Sequence, residues 1–533
     1  MPFLNGFPAY HGPYSVGTVD VELPTADLPQ AADPPLDASA TIAFRIFYPC
    51  TPLAAKHQER PVHWIQNPQH ESLSALFNFL SGHERVSSWS SMLLRHLRWI
   101  QIPAHRNAKL LEPPSGNLNR WPVTVFSHGL AGSRNAYSYI CGDLASFGTI
   151  VIAPDHRDGS SPIQHVRATE QSEAHTVEPR KYPHVPEAAT WKGRDAQLRI
   201  RLFEIATIFE ALVQIDAGQV SRNLDENYGR NRKKPVEVLQ QFRGKLDVHG
   251  PGSVTWAGHS FGAATTVQLL KSSYYASERP PTEALLAPSA NACITSQITP
   301  RSPTLLLDPW CLPFISPDQE WLQNRPLPSY AKSGPNGANV LVVLSEAFFI
   351  WSPNLDATKH IVAPPTEASS CPGLGPEGQT AYLPKHARLR RDESPNDSGY
   401  ASEASVTPQR SQSPNKQLAQ GPHFFYTMRS KHLNQSDFGI LFPWLTKWSM
   451  GAEEPERVLE LNVRAMAQTM RNAGIPMGSQ DDPEILDTGS SIRRWTPVQL
   501  DLSPELRDVR LEKDKIELGK QPTYDAPVAS ISA

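Results

Sequence analysis

Apolar positions along the chain change period several times, and each change marks an element. Over residues 14–50 the pattern is β-like. Tyr14-Ser15-Val16-Gly17-Thr18-Val19-Asp20-Val21 and Ala40-Thr41-Ile42-Ala43-Phe44-Arg45-Ile46-Phe47-Tyr48 alternate or are β-rich, with a Pro/Ala/Asp-rich connection between them, which predicts an early β-ribbon. Leu73, Leu76, Phe77 and Leu80 then recur at i, i+3, i+4 and i+7, and Trp89, Met92, Leu93, Leu97 and Ile100 repeat the helical spacing. Two amphipathic helices are expected there. Either they pack on the core, or their apolar face enters a membrane interface, a role that Trp89, Arg95, Arg98 and Trp99 suit.

From residue 122 onward, short apolar runs alternate with helical stretches. Runs at 122–126, 149–153, 253–257, 304–307, 340–344 and 424–428 read as strands. The run 340–344 is purely apolar, as buried parallel strands are. A helix is expected over about 189–216, with Leu198, Ile200, Leu202, Ile205, Ile208 and Leu212 on its apolar side. Strands alternating with helices predict an α/β fold, a mostly parallel doubly wound sheet with helices on both faces. Residues 353–420 break the alternation: they are rich in Pro, Ser, Gly and charge, and too poor in large apolar side chains to offset the entropy of ordering. They are expected to be a disordered insertion. The segment 478–533 reads as a polar peripheral tail, leaving 1–352 and 421–477 as one domain.

Composition narrows the function classes. The chain has 533 residues and a net charge of -3, so no basic field points to nucleic acid. Its 51 prolines are roughly double average usage. The five cysteines, Cys50, Cys141, Cys293, Cys311 and Cys371, are odd in number and form no C-x-x-C pair, which suits reduced thiols better than a disulfide framework. The start Met1-Pro2-Phe3-Leu4 has neither the basic and apolar regions of a signal peptide nor a myristoylation glycine, and no apolar run is long enough to span a bilayer. These features predict a cytoplasmic protein, at most peripheral to membranes. The sequon Asn434-Gln435-Ser436 lies beside a candidate catalytic residue, where a glycan would crowd the site. The sequence sets no oligomeric state.

The chemistry centres on Gly258-His259-Ser260-Phe261-Gly262, preceded by the β-prone Ser253-Val254-Thr255-Trp256-Ala257 and followed by Ala263-Ala264-Thr265-Thr266-Val267-Gln268-Leu269-Leu270. A G-x-S-x-G between strand and helix holds its serine on a sharp turn with the hydroxyl exposed. Ser260 then needs a base, an acid to orient the base, and oxyanion donors. The base should follow the last strand, and His432 does. Both Asp308 and Glu346 follow strands and are allowed as the acid, with Asp308 favoured because it ends its strand directly. The oxyanion donors are expected to be the backbone N–H groups of Phe261 and of Leu130 in His128-Gly129-Leu130-Ala131-Gly132. Asp155-His156-Arg157-Asp158, at another strand end, should cap its loop rather than line the pocket. No metal-ligand motif occurs, so neither metal nor cofactor is expected.

Several segments together resemble platelet-activating factor acetylhydrolases of the plasma and intracellular type II kind. They are Gly12-Pro13-Tyr14-Ser15-Val16-Gly17, Phe126-Ser127-His128-Gly129-Leu130, Asp143-Leu144-Ala145-Ser146-Phe147-Gly148, His156-Arg157-Asp158, Gly258 to Thr265, Leu307-Asp308-Pro309-Trp310, Ser345-Glu346-Ala347-Phe348 and His432-Leu433-Asn434-Gln435-Ser436-Asp437-Phe438. The resemblance covers about 12–350 and 421–475. It implies an α/β-hydrolase fold and a calcium-independent serine esterase that removes short or oxidised sn-2 acyl groups from glycerophospholipids. It also implies Ser260 as nucleophile, Asp308 as acid in preference to Glu346, His432 as base, and Leu130 and Phe261 as oxyanion donors. A lipid contact through residues 72–100, with Leu76, Phe77, Trp89, Met92 and Leu93, is implied as well. The stretches 277–303 and 353–420 are longer than the family leads one to expect, and could cover the pocket mouth. The competing readings are a soluble carboxylesterase for another small or secondary-metabolite ester, and an idle hydrolase fold acting as a scaffold.

Overall fold

The computed structural model describes residues 6–52, 61–81, 96–114, 119–226, 234–278, 284–365, 421–478, 484–487 and 492–500. Among the described residues there are thirteen strands: β1 (Ser15–Pro24), β2 (Thr41–Cys50), β3 (Pro61–His63), β4 (Gln101–Arg106), β5 (Val123–Ser127), β6 (Ile150–Pro154), β7 (Gln164–Val166), β8 (His175–Val177), β9 (Thr255–His259), β10 (Thr304–Leu307), β11 (Val340–Ser345), β12 (His423–Thr427) and β13 (Trp495–Pro497). Eleven of them make one sheet in the order β13-β12-β11-β10-β9-β5-β6-β2-β1-β4-β3, while β7 and β8 form a separate hairpin. The six strands from β6 to β12 in that order are all mutually parallel. The ribbon β1–β2 extends the sheet antiparallel to β6.

Side chains on the parallel strands serve two cores by simple alternation. Leu306, Val340, Val342 and Leu344 enter one apolar cluster, with residues of the helices Ala188–Ala217 and Phe261–Tyr274. Leu305, Leu307, Leu341 and Val343 enter the other, with Tyr139, Ile140, Met466 and Met470 from the helices Ser138–Ser146 and Pro455–Asn472. Both faces of the sheet are therefore covered, which explains strands apolar at every position. The chain runs from β5 outward to β6, then returns to β9 and continues the other way through β12. The crevice at such a reversal lies outside the carboxyl ends of the strands and is where ligands bind in open α/β sheets.

Two expected boundaries are corrected. The start expected for the insertion, residue 353, does not hold, because Ser352–Val362 is a helix whose Leu355, Ile361 and Val362 are buried in the first core. Those few apolar residues, at helical spacing, suffice to dock one helix inside a stretch whose average composition is polar. Residues 366–420 lie outside the described residues. The tail expected from 478 also contributes to the fold: β13 pairs antiparallel with β12, and the buried Trp495 stacks on Phe425 at 4.7 Å. A three-residue strand is too short to show a period in sequence. Of the expected helix pair, the first is Gln69–Ser81, with Leu76 and Phe77 half-buried; Trp89, Met92 and Leu93 lie outside the described residues. No described helix is long and apolar enough to cross a membrane. Cys50, Cys141, Cys293 and Cys311 are free thiols.

Candidate active site

Four strands of the parallel sheet end at one place. Ser260 follows β9 with φ 57° and ψ −120°, a conformation that L-residues adopt only under constraint from their surroundings. The constraint is the close approach of the flanking glycines. A Cβ on Gly262 would sit 2.0 Å from the Ser127 carbonyl oxygen, and one on Gly258 would sit 2.4 Å from the Gly262 backbone. Only glycine lets the helix Phe261–Tyr274 start so near β5 and β9.

The serine hydroxyl donates to Nε2 of His432 at 2.9 Å, and His432 Nδ1–H donates to Oδ2 of Asp308 at 2.8 Å. An acceptor-only carboxylate fixes the proton on Nδ1 and leaves Nε2 free to accept. Asp308 is fully buried after β10. Its other bonds come from Ser345, whose N–H donates to Oδ1 at 2.5 Å and whose hydroxyl donates to Oδ2 at 2.7 Å. Glu346, the other carboxylate allowed by sequence, opens the short helix Glu346–Phe349; its N–H donates to Ser430 Oγ. The structure thus joins Asp308, not Glu346, to His432. The His432 ring lies between His259 and Phe348, each 4.4 Å away centre to centre and stacked. Burial and the neighbouring His432 push His259 well below the usual imidazole range, so it packs there as a neutral ring.

The backbone N–H groups of Leu130 and Phe261 are the candidate oxyanion donors. Among the described residues neither Leu130 N–H nor Phe261 N–H meets a backbone acceptor, whereas Ala131 N–H donates to the Ser160 carbonyl and Ser260 N–H to that of Leu307. The loop carrying Leu130 is held from below by Arg201. This fully buried guanidinium donates to the His128 carbonyl at 2.7 Å, to Asp158 Oδ2 at 2.7 Å and to Ser160 Oγ at 2.6 Å, and lies 4.3 Å over the Phe261 ring. One cation therefore touches both halves of the candidate oxyanion hole. Tyr137 adds a second tie: its hydroxyl accepts from Gly129 N–H at 3.2 Å and pairs with His259 Nδ1 at 2.8 Å.

The segment Asp155–Asp158, expected as a loop cap, is instead a buried network that supports this loop. His156 links Ser127 Oγ at 2.9 Å to Glu204 Oε2 at 2.8 Å, and Arg157 pairs with Glu22 at 2.9 Å. Burial, then the Asp158 charge, pushes Glu204 up to about 8, while burial and Arg201 push His156 well down. Ser127–His156–Glu204 repeats the connectivity of a triad, but all three are buried, so no ester reaches Ser127. The sequence reading missed this arrangement because Glu204 lies on a helix 48 positions from His156, and no local pattern pairs them.

His259, Asp308 and His432 form a group with metal-ligand chemistry. Both nitrogens of His432 are already committed to Ser260 and Asp308. These residues fit proton transfer, not a cation. The sequon asparagine Asn434 is fully buried, and its Oδ1 accepts from Lys431 N–H at 2.7 Å; the folded protein offers it to no glycan. A further exposed feature escaped the sequence reading. On the helix Pro443–Met450, Trp444 and Trp448 are 65% and 63% exposed and stack at 6.1 Å. Their i, i+4 spacing was the available signal.

The family model described as platelet-activating factor acetylhydrolase, isoform II, matches residues 4–323. The chain is 32% identical over 266 residues to the "Putative phospholipase A2" of Schizosaccharomyces pombe, covering 48% of this chain and 57% of that protein. It is 31% identical over 270 residues to a platelet-activating factor acetylhydrolase of Cavia porcellus, covering 49% and 52%. The matched stretch thus spans about half the length of these relatives. A solved ferulic acid esterase from Streptomyces cinnamoneus aligns over 92% of this chain and 98% of its own at 14% identity and a TM-score of 0.43, which adds nothing to the fold read from the strand order.

Proposed function

The chain belongs to the platelet-activating factor acetylhydrolase, isoform II, family, and on that premise we propose that it is a calcium-independent serine esterase releasing short or oxidised sn-2 acyl groups from glycerophospholipids. The observation that supports this most is the continuous line Ser260–His432–Asp308.

In this reading Ser260 Oγ attacks the sn-2 carbonyl carbon as His432 Nε2 takes its proton. The carbonyl oxygen becomes an oxyanion held by Leu130 and Phe261 N–H, a type of contact whose single donors contribute about 10²–10³ in rate. Asp308 stabilises the imidazolium that forms. Collapse of the tetrahedral intermediate breaks the bond to the glycerol oxygen, which leaves with the His432 proton and yields an acyl-enzyme. Water, deprotonated by the same imidazole, then attacks the acyl carbon and restores Ser260.

The test is acetate release from a 2-acetyl phospholipid without calcium, beside a long-chain phospholipid and nitrophenyl acetate. Activity on the acetyl lipid and little on the long chain is expected. Activity on the soluble ester alone would keep the nucleophile and move the substrate to a small soluble ester.

A lipid substrate also asks for a lipid-facing surface. Beyond the half-buried Leu76 and Phe77 on the helix Gln69–Ser81, the protein presents Trp444, Trp448 and Trp99 to solvent. Indoles at a surface suit the headgroup region of a bilayer. The double substitution Trp444→Ser and Trp448→Ser is expected to lower activity on vesicles about tenfold, equivalent to ~1.4 kcal/mol of lost binding, and to leave nitrophenyl acetate turnover unchanged. Equal loss on both substrates would mean the helix serves folding instead.

A further inference from the structure

Arg194 is a buried cation that the line of proton transfer does not use. It lies on the helix Ala188–Ala217, seven positions before Arg201 and therefore on the same face. Arg194 is 2% exposed, yet among the described residues no carboxylate pairs with it. Its Nη1 donates to Gln197 Oε1 at 2.8 Å, its Nη2 donates to the Tyr182 carbonyl at 3.1 Å, and its Nε has no partner. Asp195, the next residue, turns instead to the Ser316 hydroxyl at 2.7 Å, and Asp158 is taken by Arg201. Burial pushes Arg194 down to about 10, which leaves it charged at neutral pH.

Aromatic rings take the place of a counter-ion. The guanidinium carbon lies 5.1 Å from the Trp310 ring centre, 5.3 Å from that of Tyr182 and 5.8 Å from that of Phe261, within the range of cation–π attraction. Phe261 and Trp310 meet edge to face at 6.0 Å. Both of these residues are tied to the nucleophile through the backbone. Phe261 follows Ser260 directly, and Trp310, two residues past Asp308, donates its N–H to the Ser260 carbonyl at 3.3 Å. A buried charge without an ionic partner weakens a fold, and such a departure from the rules of stable packing is expected where function requires it.

We propose that Arg194 is a positioning residue for ester cleavage: drawn to the rings of Phe261 and Trp310, its charge holds the turn after Ser260 so that the Phe261 N–H faces the developing oxyanion. The proposal rests on ester hydrolysis at Ser260 with Phe261 as an oxyanion donor, and is independent of the phospholipid as substrate. A residue acting in this way affects kcat more than KM, because the carbonyl oxygen gains its charge only on the way to the transition state.

The experiment compares Arg194→Met and Arg194→Lys with the native protein by kcat and KM for nitrophenyl acetate, by the rate of Ser260 labelling with an organophosphonate, and by thermal melting. Methionine keeps a long unbranched side chain and removes the charge. It is expected to lower kcat about tenfold with KM unchanged, less than the roughly 10²–10³ lost with a whole oxyanion donor, and to slow labelling by a similar factor. Its melting temperature should equal or exceed the native one, since an apolar chain replaces a buried charge that has no ionic partner. Lysine keeps the charge and should recover most of the lost kcat. A methionine variant that is slower and also melts below the native protein would make Arg194 a packing residue and overturn the proposal. A lysine variant as slow as the methionine one, or a methionine variant with native kcat, would overturn it as well. Labelling separates this proposal from the substrate reading: labelling slowed by methionine and restored by lysine would uphold the role of Arg194 even if the native protein left acetyl phospholipids uncut, and the phospholipid reading alone would then fall.

Discussion

Replacing Ser260 with Ala is expected to lower ester turnover by about 10⁶, the size of loss seen when a triad nucleophile is removed, and to abolish labelling by an organophosphonate. The expectation follows from geometry. Ser260 is the serine whose hydroxyl faces His432 Nε2 at 2.9 Å, on a backbone held at φ 57°. Alanine keeps the same backbone strain and the same small volume, so the fold should lose no more than one hydrogen bond, about 1 kcal/mol. A thermal melt close to that of the native protein would therefore accompany the lost activity. The second serine line makes the experiment decisive. Ser127–His156–Glu204 has triad distances but no access from solvent. Were labelling to persist in the Ser260→Ala protein, mapping the adduct to Ser127 would show that the sheet opens at β5, and the assignment of Ser260 would fail.

What could be read from sequence follows the range of the physical signal. The parallel strands were legible because both their faces are buried, so 304–307 and 340–344 are apolar at consecutive positions and not merely at alternate ones. The nucleophile turn was legible because two backbones approach within a distance only glycine allows, a constraint that acts within five residues. His432 could be placed because it must follow the last parallel strand. The docking of Ser352–Val362 was hidden because three buried side chains are few against a polar background. The buried network under the oxyanion loop was hidden for a different reason: Arg201, Asp158, His128 and Glu204 meet only once the sheet and the helix Ala188–Ala217 are packed. In sequence, an arginine and a glutamate on an amphipathic helix look like its solvated face. Here they lie underneath, where breaking a buried pair by removing one partner costs about 3–5 kcal/mol.

The choice between two carboxylates is the other large effect. Asp308→Asn is expected to lower kcat by about 10⁴, the loss that follows when a triad acid can no longer hold its imidazole in the right tautomer; Glu346→Gln should remain within a few-fold of the native rate. Asp308 Oδ2 receives the His432 Nδ1–H at 2.8 Å and the Ser345 hydroxyl at 2.7 Å, and Oδ1 receives Ser345 N–H at 2.5 Å. The backbone donor at Oδ1 cannot rotate away, so an asparagine must keep its carbonyl oxygen there and turn its amide toward His432. The imidazole would then accept at Nδ1 and carry its proton on Nε2, facing Ser260 with a hydrogen where a lone pair is needed. Binding should suffer little, so KM for nitrophenyl acetate is expected to stay near its native value while kcat falls. Glu346 stands one residue beyond Ser345 and bonds through its backbone to Ser430, so its charge touches the triad only at a distance. Equal losses in the two variants, or the larger loss in Glu346→Gln, would place the acid after β11 instead of β10 and would require His432 to turn away from the partner it has in this structure.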